Sequence, residues 1–472
     1  MPKTLLALSV AFALNAAHAA TSPDPLAREI FKQLIEINTT DSVGSTTDAA
    51  KAMQKRFLDA GFAAKDAQVL VGANPKRGNL VARLHGSGKH KPILIIGHLD
   101  VVEAKREDWT LDPFKFTEKD GYFYGRGTQD MKNSDAVASA ALLRMKKEGF
   151  VPDRDIILAL TADEEGGTDN GVDWLLKNHR DLVDAEFALN PDSGGLDADA
   201  GKPIALNVDA TEKLYADYEL EITDAGGHSS LPRPGNPIYL LADALERLGK
   251  ASFPFELNAV TRAWLEHMRK IEDGARAKDI NGVLAMPPDA EAIAGLSRDA
   301  RYNSALHTTC VATRLDGGHA NNALPQRASA IVNCRILPGH SSEEVRRDLI
   351  KIFAEPKLTV RYIDPVTDKR VDVGSERKAL PPPPPRKDVF DALNAVTGKM
   401  WPGVPIVIDM AVGASDSVFT MAAGIPTYGF NGTAIDRDDD RMHGRDERVR
   451  VKAFDDSAEF YYRYLKTLTS AK

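Results

Sequence analysis

The chain has 472 residues, 43% of them apolar and 27% charged, and its 68 Asp and Glu outnumber 60 Lys and Arg, for a formal net charge of −8. Such acidity offers no attraction for nucleic acid or an anionic membrane, and two cysteines are too few for a disulfide framework. The length exceeds what one core usually fills and predicts two domains.

Residues 1–19 combine Lys3, an apolar stretch over 5–14 and Ala17-His18-Ala19. That is the pattern of a secretory signal with an Ala-x-Ala cleavage site, so an exported protein, periplasmic or secreted, is expected. The apolar segment is too short to span a membrane.

From about 20 to 209 strand and helix patterns alternate in the α/β manner. The unbroken apolar run over 92–97 reads as a strand buried on both faces, and its polar residues, His98 and Asp100, come at the end. Alternation puts both on one side. The imidazole can bind a metal while the Asp100 carboxylate orients it, although an ordinary hydrogen-bonded loop histidine gives the same pattern.

Next, 122–124 leads into Gly125-Arg126-Gly127-Thr128-Gln129-Asp130-Met131-Lys132 and an alanine-rich helix over 135–147. The glycines match neither the dinucleotide fingerprint nor the Gly-Lys-Ser/Thr ending of a phosphate loop. Asp130 suits either a metal or the cap of that helix. The strand over 155–161 runs into Asp163-Glu164-Glu165-Gly166-Gly167, three carboxylates that repel one another unless something positive lies among them. A solvated acidic turn is the alternative. The apolar run 187–190 ends likewise in Asp192 and two glycines.

Residues 210–366 read as a second, inserted domain. The segments 214–223, 237–248, 308–314, 328–337, 342–353 and 358–363 follow the order strand, helix, strand, strand, helix, strand, which is ferredoxin-like. An extra stretch over about 251–300, helical around 260–271 and broken by Met-Pro-Pro, interrupts it. Cys310 and Cys334 fall on two of the strands; they meet if those strands are neighbours in matching register, and are otherwise two buried thiols. Pro381 to Pro385 forms a short polyproline run, read as a stiff connector rather than a docking site. Residues 367–472 return to α/β character through 387–398, the strand 404–410, Gly413-Ala414-Ser415-Asp416 and 417–423, and close with a helix over 453–468. His443 stands near this end. Of the other histidines only His319, beside Asn321 and Asn322, is kept as a lesser candidate for the cleft.

Carboxylates and histidines where apolar runs meet loops, repeated five times, point to a metal-dependent hydrolase. In this order the motifs resemble the M20 family of co-catalytic zinc peptidases and amidohydrolases over nearly the whole chain after residue 19. They are Gly97-His98-Leu99-Asp100-Val101-Val102, the 125–132 and 163–167 segments, Gly227-His228-Ser229-Ser230, Asn322-Ala323-Leu324-Pro325, Gly413-Ala414-Ser415-Asp416 and His443-Gly444-Arg445-Asp446-Glu447. The resemblance implies an α/β zinc-peptidase catalytic domain with a mixed central sheet flanked by helices, plus an inserted ferredoxin-like lid and dimerisation domain.

It further implies two zinc ions, with cobalt or manganese as substitutes, bridged by Asp130. His98 and Asp192 would complete one, Glu165 and His443 the other. Glu164 would be the general base on the bridging water and Asp100 the carboxylate behind His98. His228 would polarise the scissile carbonyl from the lid, with Asn322 and Gly413 near the substrate and Arg335 on its carboxylate; Arg335 also reads as an ordinary strand arginine. The expected substrate is a small peptide or an N-acyl amino acid, cleaved beside a free carboxylate, and the lid is expected to mediate a homodimer. A binding protein that kept the fold and lost catalysis is the reading the intact set argues against.

Overall fold

The computed structural model describes residues 23–470 apart from 168, 366, 377, 379 and 381. The expected secretory signal over 1–19 lies outside the described residues, as does Pro381.

A ten-stranded mixed sheet forms the frame of the molecule. At its centre Ile93–His98 lies between Ile156–Thr161 and Phe187–Asn190, parallel to both, and Thr427–Gly429 adds to Phe187–Asn190 in parallel. The first two of these strands are buried at every position, as their continuous apolar sequences require. Antiparallel strands extend the two sides, Gly78–Leu84 and Ala67–Val71 on one, Lys202–Glu212 and Gly195–Asp199 on the other.

The helix Lys132–Lys147 begins three residues before the predicted start and buries 13 of its 16 residues. Alanines make that possible, letting Pro25–Ile35 and Val451–Leu468 pack closely against it in the main core. Because the central strands are parallel and adjacent, their carboxyl ends open on one edge of the sheet, where ligand sites of α/β folds form.

Residues 214–371 build a second sheet in the order Thr309–Gly317, Arg327–Ile336, Leu214–Thr223, Thr359–Ile363, Arg370–Val371, antiparallel throughout. Its first four strands have the ferredoxin-like arrangement. Alternation is clean: Ala216, Tyr218, Leu220 and Ile222 enter a core with the helices Pro237–Lys250 and Ser342–Phe353. Glu219 and Glu221 face outward and pair with Arg327 and Arg361. Cys310 and Cys334 stand opposite each other in register and form a disulfide.

The extra stretch is richer than its sequence pattern predicts. It folds into four helices, Ala259–Met268, Gly274–Leu284, Ala290–Leu296 and Ala300–Leu306, with the Met-Pro-Pro break between the second and third. Their core of Trp264, Leu265, Ile280, Val283 and Tyr302 packs on Ala205 and Val407 of the main sheet. The connector after the second sheet is tied down at Pro384, whose carbonyl accepts a 2.8 Å hydrogen bond from the Tyr428 hydroxyl. Among the described residues no helix is long and apolar enough to cross a membrane.

Candidate metal centre

Three of the parallel strands deliver their polar ends to one place. His98 ends its strand, the turn after Ile156–Thr161 carries Asp163, Glu164 and Glu165, and the turn after Phe187–Asn190 carries Asp192. Asp130 stands two residues before the buried helix Lys132–Lys147. It does not cap that helix, whose N-cap is Met131 without a side-chain cap bond. Instead its Oδ1 lies 3.0 Å from His98 Nε2 and its Oδ2 3.0 Å from His443 Nε2. Asp192 Oδ1 is 3.4 Å from His98 Nε2, and Glu165 Oε2 is 3.0 Å from His443 Nε2. Two groups result, His98 with Asp130 and Asp192, and Asp130 with Glu165 and His443, each with its donor atoms within 4.8 Å. Glu164 stands beside the first, Oε2 at 4.0 Å from His98 Nε2.

The imidazole of His98 is oriented differently from the sequence expectation. Its Nδ1–H donates to the main-chain carbonyl of Asp100 at 3.0 Å, while the Asp100 carboxylate is 3.8 Å away. That carboxylate accepts from the amides of Glu164 (3.3 Å) and Glu165 (2.9 Å) and so shapes the acidic turn. The chain turns as the strand ends, which brings the carbonyl of Asp100, rather than its side chain, under the ring. With Nδ1 donating to that carbonyl, Nε2 is the nitrogen that faces three carboxylates and is open to a proton or a metal ion.

The electrostatics call for a cation there. Burial opposes charge on His98, yet Asp192, Asp130 and Glu164 together hold its pKa well above the usual value. Burial, and then Asp192, Asp416 and Glu165, push Glu164 well up. Burial also raises Glu165 and Asp192, whereas Asp130, despite burial, is lowered by its bonds to His443 and His98. Those bonds to Asp130 and Glu165 raise His443 to about 10. The Oε1 of Glu165 is buried with no hydrogen-bond partner among the described residues. A mixed nitrogen and oxygen donor set with surplus negative charge fits divalent metal ions, which replace protons on the imidazoles and remove the repulsion.

Several residues to which sequence patterns assigned no role hold this arrangement. Glu447, fully buried, accepts from Arg126 Nη1 at 2.6 Å and from the amides of Gly127, Gln129 and Asp130 at 3.1, 2.6 and 3.2 Å. Arg126 also reaches the carbonyls of His443 and Gly444, binding the two loops together. In the acidic turn Asp163 has φ of 59° and an Arg77 Nε contact at 2.9 Å, while the Ala162 amide donates to Asn79 Oδ1 at 2.9 Å. Asn170 Nδ2 spans the Asp163 carbonyl and Asp416 Oδ1, at 3.2 and 2.6 Å. The run of three acids and the motifs containing Arg126, Asp416 and Glu447 signalled part of this locally; Arg77, Asn79 and Asn170 look like ordinary polar residues in the sequence.

The other expected site residues lie elsewhere. His228 and Asn322, far apart in sequence, are brought side by side: Gly227–His228 pairs with Ala323–Leu324, and the Ser229 amide donates to the Asn322 carbonyl at 3.1 Å. His228 is exposed, and its Nδ1 lies 3.2 Å from the Ser230 amide and 2.8 Å from the Ser230 hydroxyl. Arg335 stacks 4.7 Å from the ring centroid of Tyr215 and donates to Asn333, an arrangement within the second sheet. Gly413 is exposed, with open space where a Cβ would stand. His319 is exposed as well.

Comparison with known proteins accords with this geometry. The model of peptidase family M20/M25/M40 matches residues 94–467. The N-fatty-acyl-amino acid synthase/hydrolase of Xenopus tropicalis is 28% identical over 384 residues, 79% of this chain and 72% of that protein. The carboxypeptidase S-like 2 protein of Dictyostelium discoideum is 27% identical over 388 residues, 80% of this chain and 71% of its own length. Among solved structures, an M20 family metallo-carboxypeptidase from Sulfolobus solfataricus shares the fold with a TM-score of 0.71 at 17% identity, covering 94% of this chain and 99% of that one.

Proposed function

The chain belongs to peptidase family M20/M25/M40 and is a hydrolase, and from that premise we propose that it cleaves the amide of a small peptide beside a free carboxylate, using two divalent metal ions. Asp130 carries the reading, since each of its oxygens faces a different imidazole while Asp192 and Glu165 flank the two. Asp130 is therefore assigned as the bridging ligand, His98 and Asp192 as partners on one side, Glu165 and His443 on the other. Zinc suits this donor set, with cobalt or manganese as substitutes. Bound metal ions would supply a water acidified toward neutral pH and a clamp on the carbonyl oxygen.

Glu164 is the general base. It lies beside the ligands without being needed among them, and a carboxylate there can take a proton from the water and pass it to the leaving nitrogen. Asp100 positions it through the amides of Glu164 and Glu165. His228 serves as the oxyanion donor: the Ser230 amide can only donate to Nδ1, which leaves the proton on Nε2, free to point at substrate. Residues 210–366 act as the lid that carries His228, Asn322 and Arg335. Arg335 is assigned to the substrate carboxylate, Asn322 and the open backbone at Gly413 to its remaining contacts.

The second reading, an N-acyl-amino-acid hydrolase, is favoured by the 28% identity to an N-fatty-acyl-amino acid synthase/hydrolase. It uses the same ligands and base and differs in the acyl pocket. Export is proposed from the sequence of residues 1–19, and the Cys310–Cys334 disulfide suits an oxidising compartment. A homodimer through the second sheet is proposed too, because its edge strand Thr309–Gly317 leaves Val311 and Leu315 60% and 71% exposed. Light scattering giving a monomer mass would remove that assembly.

Turnover by the purified protein on a dipeptide panel alongside N-acyl amino acids tests the activity. Cleavage of the first set, abolished by chelator and restored by zinc, is expected. Turnover of only the second set selects the acylase reading, and full activity in chelator with no bound metal would overturn both.

A further inference from the structure

Behind the turn that carries Asp192 lie three carboxylates to which the proposed chemistry gives no task. Asp209 and Asp409 face each other directly on the paired parallel strands Lys202–Glu212 and Ile406–Ala411. Asp197 stands on the adjoining strand Gly195–Asp199. Asp209 holds the turn itself, its Oδ2 accepting from the Gly194 amide at 2.7 Å. Burial, and then the charge of Asp409, raise Asp209 to about 8, and burial raises Asp409 to about 6.

The cation that spans this group comes from the four-helix insertion. Arg301, on Ala300–Leu306, places Nη1 3.2 Å from Asp197 Oδ2 and Nη2 3.9 Å from Asp409 Oδ2. Arg437 reaches Asp197 alone, at 3.4 Å. The turn has little slack to absorb a shift of Asp209. A Cβ on Gly194 would lie 2.4 Å from the Gly429 carbonyl, and Asn431 Nδ2 donates to the Pro191 carbonyl at 2.8 Å.

We infer that Arg301 is a positioning residue for the metal centre: by neutralising Asp197 and Asp409 it keeps Asp209 on the Gly194 amide and thereby keeps Asp192 facing His98. The insertion thus completes the site from outside, through one guanidinium, without touching a ligand. This rests on the reading of His98 and Asp192 as ligands. Asp192→Asn tests that reading separately.

The experiment is cobalt titration of the full chain, followed by calorimetry and visible absorption. Arg301→Met should weaken one of two cobalt-binding events by about 10–100-fold, the usual effect of losing a partner behind a ligand, and leave the other unchanged. Arg301→Lys should restore most of the loss. So should the double variant Arg301→Met/Asp409→Asn, since removing the carboxylate removes the repulsion that the guanidinium offset. If Arg301 acted only by packing against Trp264, 5.8 Å from its ring centroid, Asp409→Asn would not rescue, and that result overturns the inference. Wild-type cobalt binding by folded Arg301→Met overturns it too. Should Arg301→Met alone not fold, the double variant decides: two tight events support the inference and a weakened one refutes it. Asp192→Asn with both events unaltered would instead refute the ligand assignment.

Discussion

The two halves of the proposed metal centre are built differently. His98 ends a central strand and Asp192 follows the adjacent one, with side chains 2% and 13% exposed. Glu165 and His443 come from turns, and the His443 side chain is 54% exposed, on a backbone with φ of 60°. The first half rests on the sheet, His98 through the register of its own strand and Asp192 through the turn that Asp209 holds at Gly194. The second half is closed across the chain by the Arg126–Glu447 pair and the loops it joins. Rigidity in one half and adjustability in the other follow from where each ligand's backbone is anchored.

Glu164 and Glu165, neighbours in one turn, sharpen this contrast most. Glu164→Gln should lower kcat by about 10²–10⁴ with metal content unchanged, the worth of a placed general base. Glu165→Gln should instead release metal from the His443 side, and added zinc should return part of the activity. Metal analysis beside kinetics checks both, and an exchange of the two behaviours would reverse the assignment of base and ligand.

Breaking the closure of the exposed half comes next. Arg126→Met leaves Glu447 buried without its cation, which should cost about 3–5 kcal/mol in denaturant unfolding. Metal should leave the His443 side first on stepwise chelation. Equal loss from both halves would mean that the strand ends depend on this pair as well.

The two histidines should differ in stability more than in metal stoichiometry. His98→Ala, at a site 1% exposed and surrounded by carboxylates, should cost about 1–3 kcal/mol in the metal-free protein, since it strands buried polar groups. His443→Ala, at a half-exposed site, should cost less, but it leaves Asp130 and Glu165 without their cation. Each should lose one metal ion, and thermal melts in chelator measure the difference.

The smallest effect is a pH dependence of the exposed half. In the metal-free protein His443 is raised from 6.5 to about 10, so its pairing stabilises the fold fully below about 6.5 and is lost as pH rises through about 10. Metal requires the neutral imidazole. Affinity should therefore increase with pH across that window, and near neutral pH uptake should release about one proton from this histidine. Calorimetry in buffers of different ionisation enthalpy reads that proton directly.

Much of the site was legible because its residues sit at breaks in strong patterns. The buried strands at 93–98 and 156–161 are unmistakable apolar runs, so the polar residues ending them stood out. Leu214–Thr223 and Ser342–Phe353 have the bounds their alternation and helical spacing predicted. Of the four helices of the insertion only the first was read, because the apolar side of the group is completed by Ala205 and Val407 of a distant sheet. Asn79, Asn170 and Arg77 were invisible for a related reason: a single polar residue acquires its role from a partner tens or hundreds of residues away.

The sequence by itself determined the order of the central strands and of the second domain's elements, and the chemical types of the donors, since periodicity and residue chemistry are local properties. Tertiary structure alone decided that Asp100 orients His98 through its carbonyl and the acidic turn through its carboxylate. It also decided that Cys310 meets Cys334 and that Arg301 answers Asp197 and Asp409. Each of those depends on distances of a few ångströms between segments far apart in the chain, which strand register and core packing set and no local pattern records.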